Sequence, residues 1–388
     1  MNAEFTTPAG RPLPATLQPQ PGFAPATSRR EPRSDGRLIV LDETPREDAG
    51  SEARVSVGRF ADLGRWLVPG DLLVVNDAAT LPASLHGRDA RGADIEVRLV
   101  ARRGPASFAA VLFGAGDWRT RTEDRPSPPN LEVGARLSFG VEEPAAQSEG
   151  ATATATSLRA TVAFVSALSR RLVTLQFDRT GDALFGAIYA LGRPIQYSHH
   201  EAPLPLWAVQ NVYAARPVAF ELPSAGRPLT WSLLSSLRTR GIALARLTHA
   251  AGVSAVGDPI LDALLPLPEA YELPRATARA VRATRARGGR VIAVGTTVVR
   301  ALESAAAQTG DVRAGSAETN LRLGPGCRRR VVGGLLCGMH AEGESHYELL
   351  QAFAAPTHLR RATEQAARAG FYAHELGDSM LILAAPPR

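Results

Sequence analysis

The strongest fold signal in the chain is the stretch Val291-Ile-Ala-Val-Gly-Thr-Thr-Val-Val-Arg-Ala-Leu-Glu303. Its apolar start is typical of a buried strand, and the residues from Thr297 predict a helix. A helix that follows a strand so closely leaves backbone N–H groups free beside two threonine hydroxyls, and such a terminus binds anions or carboxylates. The alternative is an ordinary strand-to-helix turn with a threonine cap, in which Arg300 pairs with Glu303 on the helix surface.

The chain on both sides of this stretch repeats the alternation of helix and strand. We predict further helices over 230–240, 274–287, 345–354 and 359–369, and strands over 37–42, 71–76, 242–248, 331–336 and 380–384. Thr230 is the predicted N-cap of its helix. Such alternation is typical of an α/β unit, in which helices flank a mostly parallel sheet.

Between these parts the pattern changes to short β-like runs. They cover 94–100, 107–113, 135–141, 158–165 and 171–177, with turn-rich segments between them. This spacing predicts a small antiparallel β-barrel or sandwich. We therefore divide the chain into a flexible arm rich in proline and alanine (1–36), an α/β domain (37–80 and 178–388) and an inserted β-barrel domain (81–177). Low hydrophobicity also predicts that 1–30 and 143–155 are mobile.

The composition excludes several kinds of chemistry. The 388 residues include 44 lysines and arginines, and every one of them is arginine. A Walker A loop and a pyridoxal phosphate Schiff base both need lysine, so neither is present. The formal net charge of +6 permits contact with phosphates. Because the sequence has neither an apolar run of ~20 residues nor a secretory signal, we expect a cytoplasmic protein that binds no membrane.

Three histidine-containing segments are candidates for polar chemistry. His340-Ala-Glu-Gly-Glu-Ser-His346 places His, Glu, Glu and His at alternate positions, which in an extended segment face the same way. That set offers nitrogen and oxygen ligands to a metal, with a solvated loop as the alternative. We interpret His199-His200-Glu201 as a surface loop. His249 follows a predicted strand, at the end where open α/β sheets bind ligands.

Several stretches together resemble the S-adenosylmethionine:tRNA ribosyltransferase-isomerase family. The blocks at 69–77 and 295–303 are the specific ones, and all occur in the family's order across nearly the whole chain. They are Arg37-Leu-Ile-Val-Leu-Asp42, Pro69-Gly-Asp-Leu-Leu-Val-Val-Asn-Asp77, Leu81-Pro-Ala-Ser-Leu85, Ile95-Glu-Val97, Ala293-Val-Gly-Thr-Thr-Val-Val-Arg-Ala-Leu-Glu303 and Gly377-Asp-Ser-Met380. The resemblance implies an α/β domain with an inserted small β-barrel, which agrees with the pattern of strands.

The resemblance also implies an activity. The family transfers and isomerises the ribosyl group of S-adenosylmethionine onto 7-aminomethyl-7-deazaguanine in a tRNA anticodon. Epoxyqueuosine forms, and adenine and methionine leave. S-adenosylmethionine is a co-substrate, and neither a bound cofactor nor a metal is implied. We expect S-adenosylmethionine and tRNA as partners of a monomeric enzyme of the transferase/isomerase type.

The chain departs from the family where substrate chemistry is expected. An arginine is lost in Asn76-Asp-Ala-Ala-Thr80, and a histidine becomes proline in Leu222-Pro-Ser-Ala-Gly-Arg-Pro-Leu229. Paired histidines are lost near 264–268, although Glu269 matches the family. Of the polar contacts in the segment Cys337-Gly-Met-His-Ala-Glu-Gly-Glu-Ser345, only His340 remains. The scaffold thus resembles the family, and the substrate pocket is that of a divergent member or paralogue.

From the pattern and the resemblance together we predict a set of site residues. The catalytic candidates are His249, His340 and Glu269, with the histidines as the acid–base groups. Thr296 and Thr297 are expected to bind the polar tail of S-adenosylmethionine or a phosphate. The predicted substrate-binding residues are Thr296, Thr297, Arg300, Asn76 and Asp77.

Three hypotheses of function follow. The first is the family reaction on tRNA, and the second is use of S-adenosylmethionine on a different, non-tRNA acceptor. The third is a non-catalytic relative that binds nucleic acid. Because the scaffold motifs are kept and several pocket residues are lost, we predict binding of S-adenosylmethionine with weak or absent conversion of the modified tRNA.

Overall fold

The computed structural model describes residues 23–45, 53–140, 157–307 and 310–384. Within them the chain forms a nine-stranded mixed sheet with flanking helices, and a closed barrel of six antiparallel strands. The barrel strands lie between two parts of the chain that both contribute to the large sheet. This arrangement confirms the predicted fold class.

The strands are short and are numbered in chain order. They are β1 (Ala24–Pro25), β2 (Arg37–Asp42), β3 (Arg54–Arg59), β4 (Leu72–Asn76), β5 (Ala78–Thr80), β6 (Ser84–Asp89), β7 (Asp94–Arg102), β8 (Ser107–Phe113), β9 (Arg136–Phe139), β10 (Leu158–Val165), β11 (Leu172–Phe177), β12 (Arg216–Ala219), β13 (Ala243–His249), β14 (Glu269–Leu273), β15 (Val291–Val294), β16 (Gly315–Thr319), β17 (Gly334–Gly338), β18 (Tyr372–Ala373) and β19 (Ser379–Leu383).

The α-helices belong to the part of the chain that follows the barrel. They are α1 (Gly181–Leu191), α2 (Trp231–Thr239), α3 (Pro259–Leu264), α4 (Arg275–Ala286), α5 (Thr296–Ala307), α6 (Ser345–Leu350) and α7 (Pro356–Arg368). Single turns of 3₁₀-helix cover Phe60–Arg65, Thr122–Asp124, Leu206–Val209 and Ser224–Gly226. Among the described residues, no helix combines the length and apolarity that crossing a bilayer requires.

The large sheet has the order β16-β14-β13-β4-β15-β17-β19-β2-β3. Its centre, from β13 to β17, is parallel, as is the pair of β19 and β2. The remaining pairs are antiparallel. The sheet is therefore mixed, and the predicted parallel arrangement describes its centre.

Strands β4 and β15, in the middle of the sheet, are buried on both faces. Leu72 and Val74 of β4 point into the core beneath α4 and α5, whereas Leu73 and Val75 join a second core that includes α2. Successive side chains of a strand face opposite ways, so a strand between two layers of helix needs an apolar residue at every position. This explains why the strand sequences are continuous apolar runs.

The barrel has its own core and a buried ionic cluster. Glu96 Oε1 accepts from Ser84 Oγ at 2.8 Å and from Arg98 Nε at 2.7 Å, and Arg125 pairs with the other carboxylate oxygen. The Arg98 guanidinium also lies over the ring of Phe113, 4.5 Å from its centroid. The pairing and the ring together compensate for burying these charges.

Residues 23–36 lie against the α/β unit, which corrects the predicted flexible arm for this segment. β1 pairs in parallel with β18, and Phe23 packs on the main core. Arg30 Nη1 lies 2.5 Å from Oδ1 of Asp378, whose side chain has no exposed surface. A buried carboxylate needs such a partner, and sequence composition does not reveal the pairing. The other predicted mobile residues, 1–22 and 143–155, lie outside the described residues.

The predicted helix starts agree with the structure to within one residue, except that α7 begins at Pro356, three residues before the predicted start. Thr230 is the N-cap of α2 and accepts a hydrogen bond from Leu233 N at 3.2 Å. The helix of the opening stretch begins at Thr296, one residue before the predicted start. The predicted helix over 345–354 is shorter and ends at Leu350, and the predicted strand over 331–336 runs instead over β17.

Candidate functional site

The candidate site lies where three parallel strands end. β4 ends at Asn76, its neighbour β13 ends at His249, and β15 on its other side leads directly into α5. The carboxyl ends of parallel neighbours lie at the same edge of the sheet, which is where open α/β folds bind ligands. Three of the predicted segments therefore meet at one edge.

The turn into α5 depends on a glycine. Gly295 has a φ of 94°, which lies in the left-handed region that glycine adopts without a steric penalty. α5 then begins with Thr296 and Thr297, both buried. Arg300 lies one helical turn further on, so its side chain shares a helix face with both threonines. The helix start, two hydroxyls and a guanidinium therefore lie on the same side.

Arg300, Glu269 and His249 form a buried cluster at this edge. Arg300 Nη2 lies 2.5 Å from Glu269 Oε2, and His249 Nε2 lies 3.5 Å from the same oxygen. The other oxygen of Glu269 accepts from the backbone N–H of Gly252 at 2.6 Å. Three of the predicted site residues thus contact one another, and the ion pair fixes the position of Arg300.

Burial sets the protonation of this cluster. The pKa of His249 lies well below its ordinary value, because burial disfavours the imidazolium and the charge of Arg300 repels it. His249 is therefore neutral at physiological pH. Burial raises the pKa of Glu269, and the adjacent Arg300 opposes that rise.

Some polar atoms of the cluster have no partner. Within the described part of the chain, Arg300 Nη1 and both ring nitrogens of His249 make no hydrogen bond, although they are buried. Buried donors are nearly always paired in native proteins. A free guanidinium N–H beside a helix N-terminus is suited to a carboxylate or phosphate ligand.

The alternative in which Arg300 pairs with Glu303 on the helix surface is wrong. Both side chains are buried, and they face different partners. The Glu303 carboxylate accepts three backbone N–H groups at 2.7, 3.0 and 2.9 Å, from Arg330, Val331 and Val332. Glu303 thus fixes the segment that leads into β17, and Arg300 pairs with Glu269 instead.

Asn76 and Asp77, which we predicted as substrate-binding, have partners inside the protein. Asn76 Oδ1 accepts from His249 N, and Asn76 Nδ2 donates to His249 O, both at 2.9 Å. Asp77 Oδ1 accepts from Thr248 Oγ1 at 2.6 Å. These contacts fix the ends of β4 and β13, so in this structure the two side chains position the site.

His340 follows β17 and stacks on His346, with ring centroids 4.9 Å apart. His340 Nδ1 lies 3.4 Å from Glu344 Oε2, and one-fifth of the His340 side chain is exposed. Burial, followed by the charges of His340 and Arg300, lowers the pKa of His346 to about 3.

The residues at alternate positions from His340 to His346 do not converge as a set of metal ligands. Glu342 points to Arg360, at 3.2 Å, while Glu344 faces His340. The two imidazole rings are nearly parallel, at 11°. Among the described residues, the side chains whose ligand atoms converge are instead His199, His200 and Glu375.

No sequence pattern reveals this second histidine cluster. We interpreted His199-His200-Glu201 as a surface loop, but His200 is buried, and His199 Nε2 lies 3.0 Å from Glu375 Oε2. Glu201 instead accepts from Thr27. His199 and Glu375 are 176 positions apart in the chain, so no local pattern links them.

The architecture is that of an enzyme: a β-barrel inserted into an α/β unit, with a buried polar cluster at the strand ends suited to a small anionic group. The chain belongs to the queuosine biosynthesis protein family, whose model matches residues 19–382. This match confirms the family resemblance seen in the sequence.

Several curated relatives are similar over most of their length, and all are called S-adenosylmethionine:tRNA ribosyltransferase-isomerase. That of Trichlorobacter lovleyi is 33% identical over 361 residues, covering 90% of this chain and 94% of the relative. Those of Thermus thermophilus and Moorella thermoacetica are 34% identical over 358 and 364 residues, each covering 91% of this chain and 94% of the relative. The crystal structure of S-adenosylmethionine tRNA ribosyltransferase from Thermotoga maritima has a TM-score of 0.48 and 24% identity, with 92% of this chain and 96% of that one covered.

Proposed function

We propose that this chain catalyses S-adenosylmethionine-dependent ribosyl transfer and isomerisation of the tRNA-queuosine type. Epoxyqueuosine is the product, and adenine and methionine are released. The relatives, which are named for this activity, support the proposal. The structural observation that carries it is the unpaired Nη1 of buried Arg300 beside the start of α5.

The start of α5 is suited to the methionyl carboxylate of S-adenosylmethionine. The first N–H groups of a helix have no partner within the helix, and they carry a partial positive charge. The hydroxyls of Thr296 and Thr297 and Nη1 of Arg300 add donors on the same helix face. Glu269 pairs with Nη2 of the Arg300 guanidinium. Nη1 is therefore available to donate a hydrogen bond to the ligand.

The two histidine candidates differ in access. His249 has no exposed surface, whereas His340 has one-fifth of its side chain exposed. A general acid or base must come within hydrogen-bonding distance of the group it serves. His340 is therefore the better candidate for proton transfer to or from the substrate. His249 is neutral and buried, so we assign it a structural role, in which its ring packs against the Glu269 carboxylate at 3.5 Å.

We extend the proposal to the remaining properties of the reaction. S-adenosylmethionine acts as co-substrate, and the reaction uses no bound cofactor. The tRNA is the acceptor, and the enzyme works as a monomer in the cytoplasm. The arginine-based net charge of +6 is compatible with phosphate contacts.

A second candidate function is use of S-adenosylmethionine on a non-tRNA acceptor. It is favoured by the departures from the family motifs, in particular the lost arginine before Thr80 and the proline at 228. Arg227 beside that proline turns inward and donates to Ala208 O at 3.2 Å. The segment with these changes lies close to α5, because its residue Ala225 packs against Gly295 at the turn into that helix.

The test is release of adenine and methionine from S-adenosylmethionine by the purified protein. The reaction is run without acceptor, with tRNA that carries 7-aminomethyl-7-deazaguanine, and with the free base. We expect release that requires the modified tRNA and is lost in Arg300→Gln. Arg279→Gln, on the exposed side of α4, is the matched control.

The outcomes separate the hypotheses. Release with the free base alone supports the non-tRNA acceptor. Binding of tRNA without release in any condition supports a non-catalytic relative that binds nucleic acid. If Arg300→Gln folds and releases adenine at the wild-type rate, the assignment of the α5 site is refuted.

A further inference from the structure

Three side chains from distant parts of the chain converge outside the α5 site. His199 and His200 lie in the loop between α1 and the 3₁₀ turn Leu206–Val209, and Glu375 lies in the turn between β18 and β19. One carboxylate oxygen of Glu375 faces both imidazoles, at 3.0 Å from His199 Nε2 and 3.7 Å from His200 Nε2. All three ligand atoms lie within 4.8 Å of one another.

These spacings match the requirements of a small metal ion. Zinc binds imidazole nitrogen and carboxylate oxygen at about 2.0–2.2 Å, so the edge between two ligands of a tetrahedral site is about 3.3 Å. The two distances to Glu375 lie on either side of that value. An ion therefore fits between the three groups after only small side-chain adjustments.

The neighbouring residues hold the ligands in place. The His374 ring stacks on His199 with centroids 4.6 Å apart, and the Tyr197 ring lies nearly parallel to His199 at 6.3 Å. The hydroxyl of Tyr197 is in turn held by Glu221. These ring contacts restrict the rotation of the His199 side chain. The His374 backbone has a φ of 68°, a sparsely populated conformation for a residue other than glycine.

A plain hydrogen bond between His199 and Glu375 explains only part of this arrangement. At 3.7 Å, His200 Nε2 is too far from Glu375 for a hydrogen bond. The His200 side chain is nevertheless almost completely buried, with 2% of it exposed. Its Nδ1 has no hydrogen-bond partner among the described residues, so the protein leaves this buried imidazole incompletely paired.

We propose that His199, His200 and Glu375 bind a divalent transition metal of the zinc type. Two imidazole nitrogens and one carboxylate oxygen suit zinc and its neighbours in the first transition row, whereas calcium and magnesium prefer oxygen ligands alone. Three protein ligands leave a coordination position for water or another small ligand. Glu375 also lines a surface cavity together with Arg30, Arg33 and Arg227, which gives the site a route to solvent.

The bound metal joins two segments that lie 176 positions apart in the chain. The two histidines belong to the loop that follows α1, and Glu375 belongs to the turn before β19, the last strand in the chain. The three ligands are distinct from Arg300, Glu269 and His249, and metal binding is measured without S-adenosylmethionine or tRNA, so its test does not depend on the proposed ribosyl transfer.

The experiment is a metal titration of the full chain without an affinity tag, after removal of metals with a chelator. Zn²⁺ binding is followed by calorimetry, and Co²⁺ binding by visible absorption. We expect saturation at one ion per chain, and Co²⁺ bands of a low-coordinate nitrogen and oxygen site. His199→Gln and Glu375→Gln should each weaken binding by about tenfold or more.

Two histidine variants serve as controls. His86→Gln changes an exposed histidine of the barrel, and His340→Gln changes the other histidine pair. Both should bind Zn²⁺ like the wild type. The proposal is overturned if the wild type shows no saturable binding, if His199→Gln and Glu375→Gln bind normally, or if His340→Gln abolishes binding. The Co²⁺ spectrum of the wild type tests the proposal without any variant. The proposal therefore remains testable even if a variant fails to fold.

Discussion

The buried pair of Arg300 and Glu269 allows stability and ligand binding to be separated by mutation. Arg300→Met removes the cation and leaves the Glu269 carboxylate buried beside His249. Combining it with Glu269→Gln removes both charges. The amide oxygen of the new glutamine can still accept the hydrogen bond from Gly252 N that Glu269 accepts at 2.6 Å.

The expected magnitudes follow from the geometry of the pair. Breaking a buried ion pair from one side costs about 3–5 kcal/mol, whereas replacing both partners by neutral groups of similar size is often nearly neutral. Arg300→Met should therefore lower the free energy of unfolding by about 3–5 kcal/mol, and the double variant should recover most of this loss. A hydrogen bond to a charged group contributes about 1.5–3 kcal/mol, so S-adenosylmethionine should bind the double variant about 10- to 150-fold more weakly.

Urea unfolding measures the first effect, and calorimetry with S-adenosylmethionine in the absence of tRNA measures the second. A double variant that is as stable as the wild type but binds weakly supports a ligand contact of Arg300. Binding by the double variant within about threefold of the wild type, roughly 0.7 kcal/mol, would refute the reasoning, because Nη1 would then have no role in the ligand site.

Three further predictions concern other parts of the molecule. Glu303→Ala leaves three N–H groups unpaired, two of them buried, and should lower the free energy of unfolding by at least about 2 kcal/mol in urea; a loss below about 1 kcal/mol would contradict this. Burial raises the pKa of Glu221 from 4.5 to about 7, so its contribution to stability is present below pH 4.5 and is lost as the pH rises through about 7. Glu221→Gln should flatten that part of the stability profile, and an unchanged profile would exclude Glu221 as the cause. Single-turnover assays should show slower conversion of tRNA carrying 7-aminomethyl-7-deazaguanine than a standard family member shows, because of the lost arginine before Thr80 and the proline at 228; conversion at a comparable rate would show that these changes are neutral.

The sequence was sufficient to predict the elements of the sheet centre and the start of α5. Residues 72–75 and 291–294 are apolar at every position because both faces of these strands are covered. The order of strand, glycine and two threonines predicted the turn at Gly295, since few other residues adopt its backbone conformation. These signals are local, so each of these elements can be predicted from the residues of its own segment.

The partners of buried charges could not be predicted in the same way. Glu303 is seven residues from the start of its helix, yet its three hydrogen bonds come from the segment that enters β17. The cluster of His199, His200 and Glu375 depends on how the loop after α1 folds against the last strands. Arg30 looked like part of a flexible arm because its partner Asp378 lies at the other end of the chain. Contacts of this kind are set by tertiary packing and leave no trace in local composition.

The pairing of β2 with β19 has a consequence for the order in which the protein folds during synthesis. Arg37 N donates to Asp378 across 341 positions of sequence, and β2 lies beside β19 along its whole length. On the ribosome, β2 must therefore wait for almost the entire chain before one of its two neighbours exists. The barrel strands, from Ser84 to Phe177, find all their partners within one continuous stretch. The barrel can thus complete its strand pairing while the chain is still growing, and the large sheet closes last.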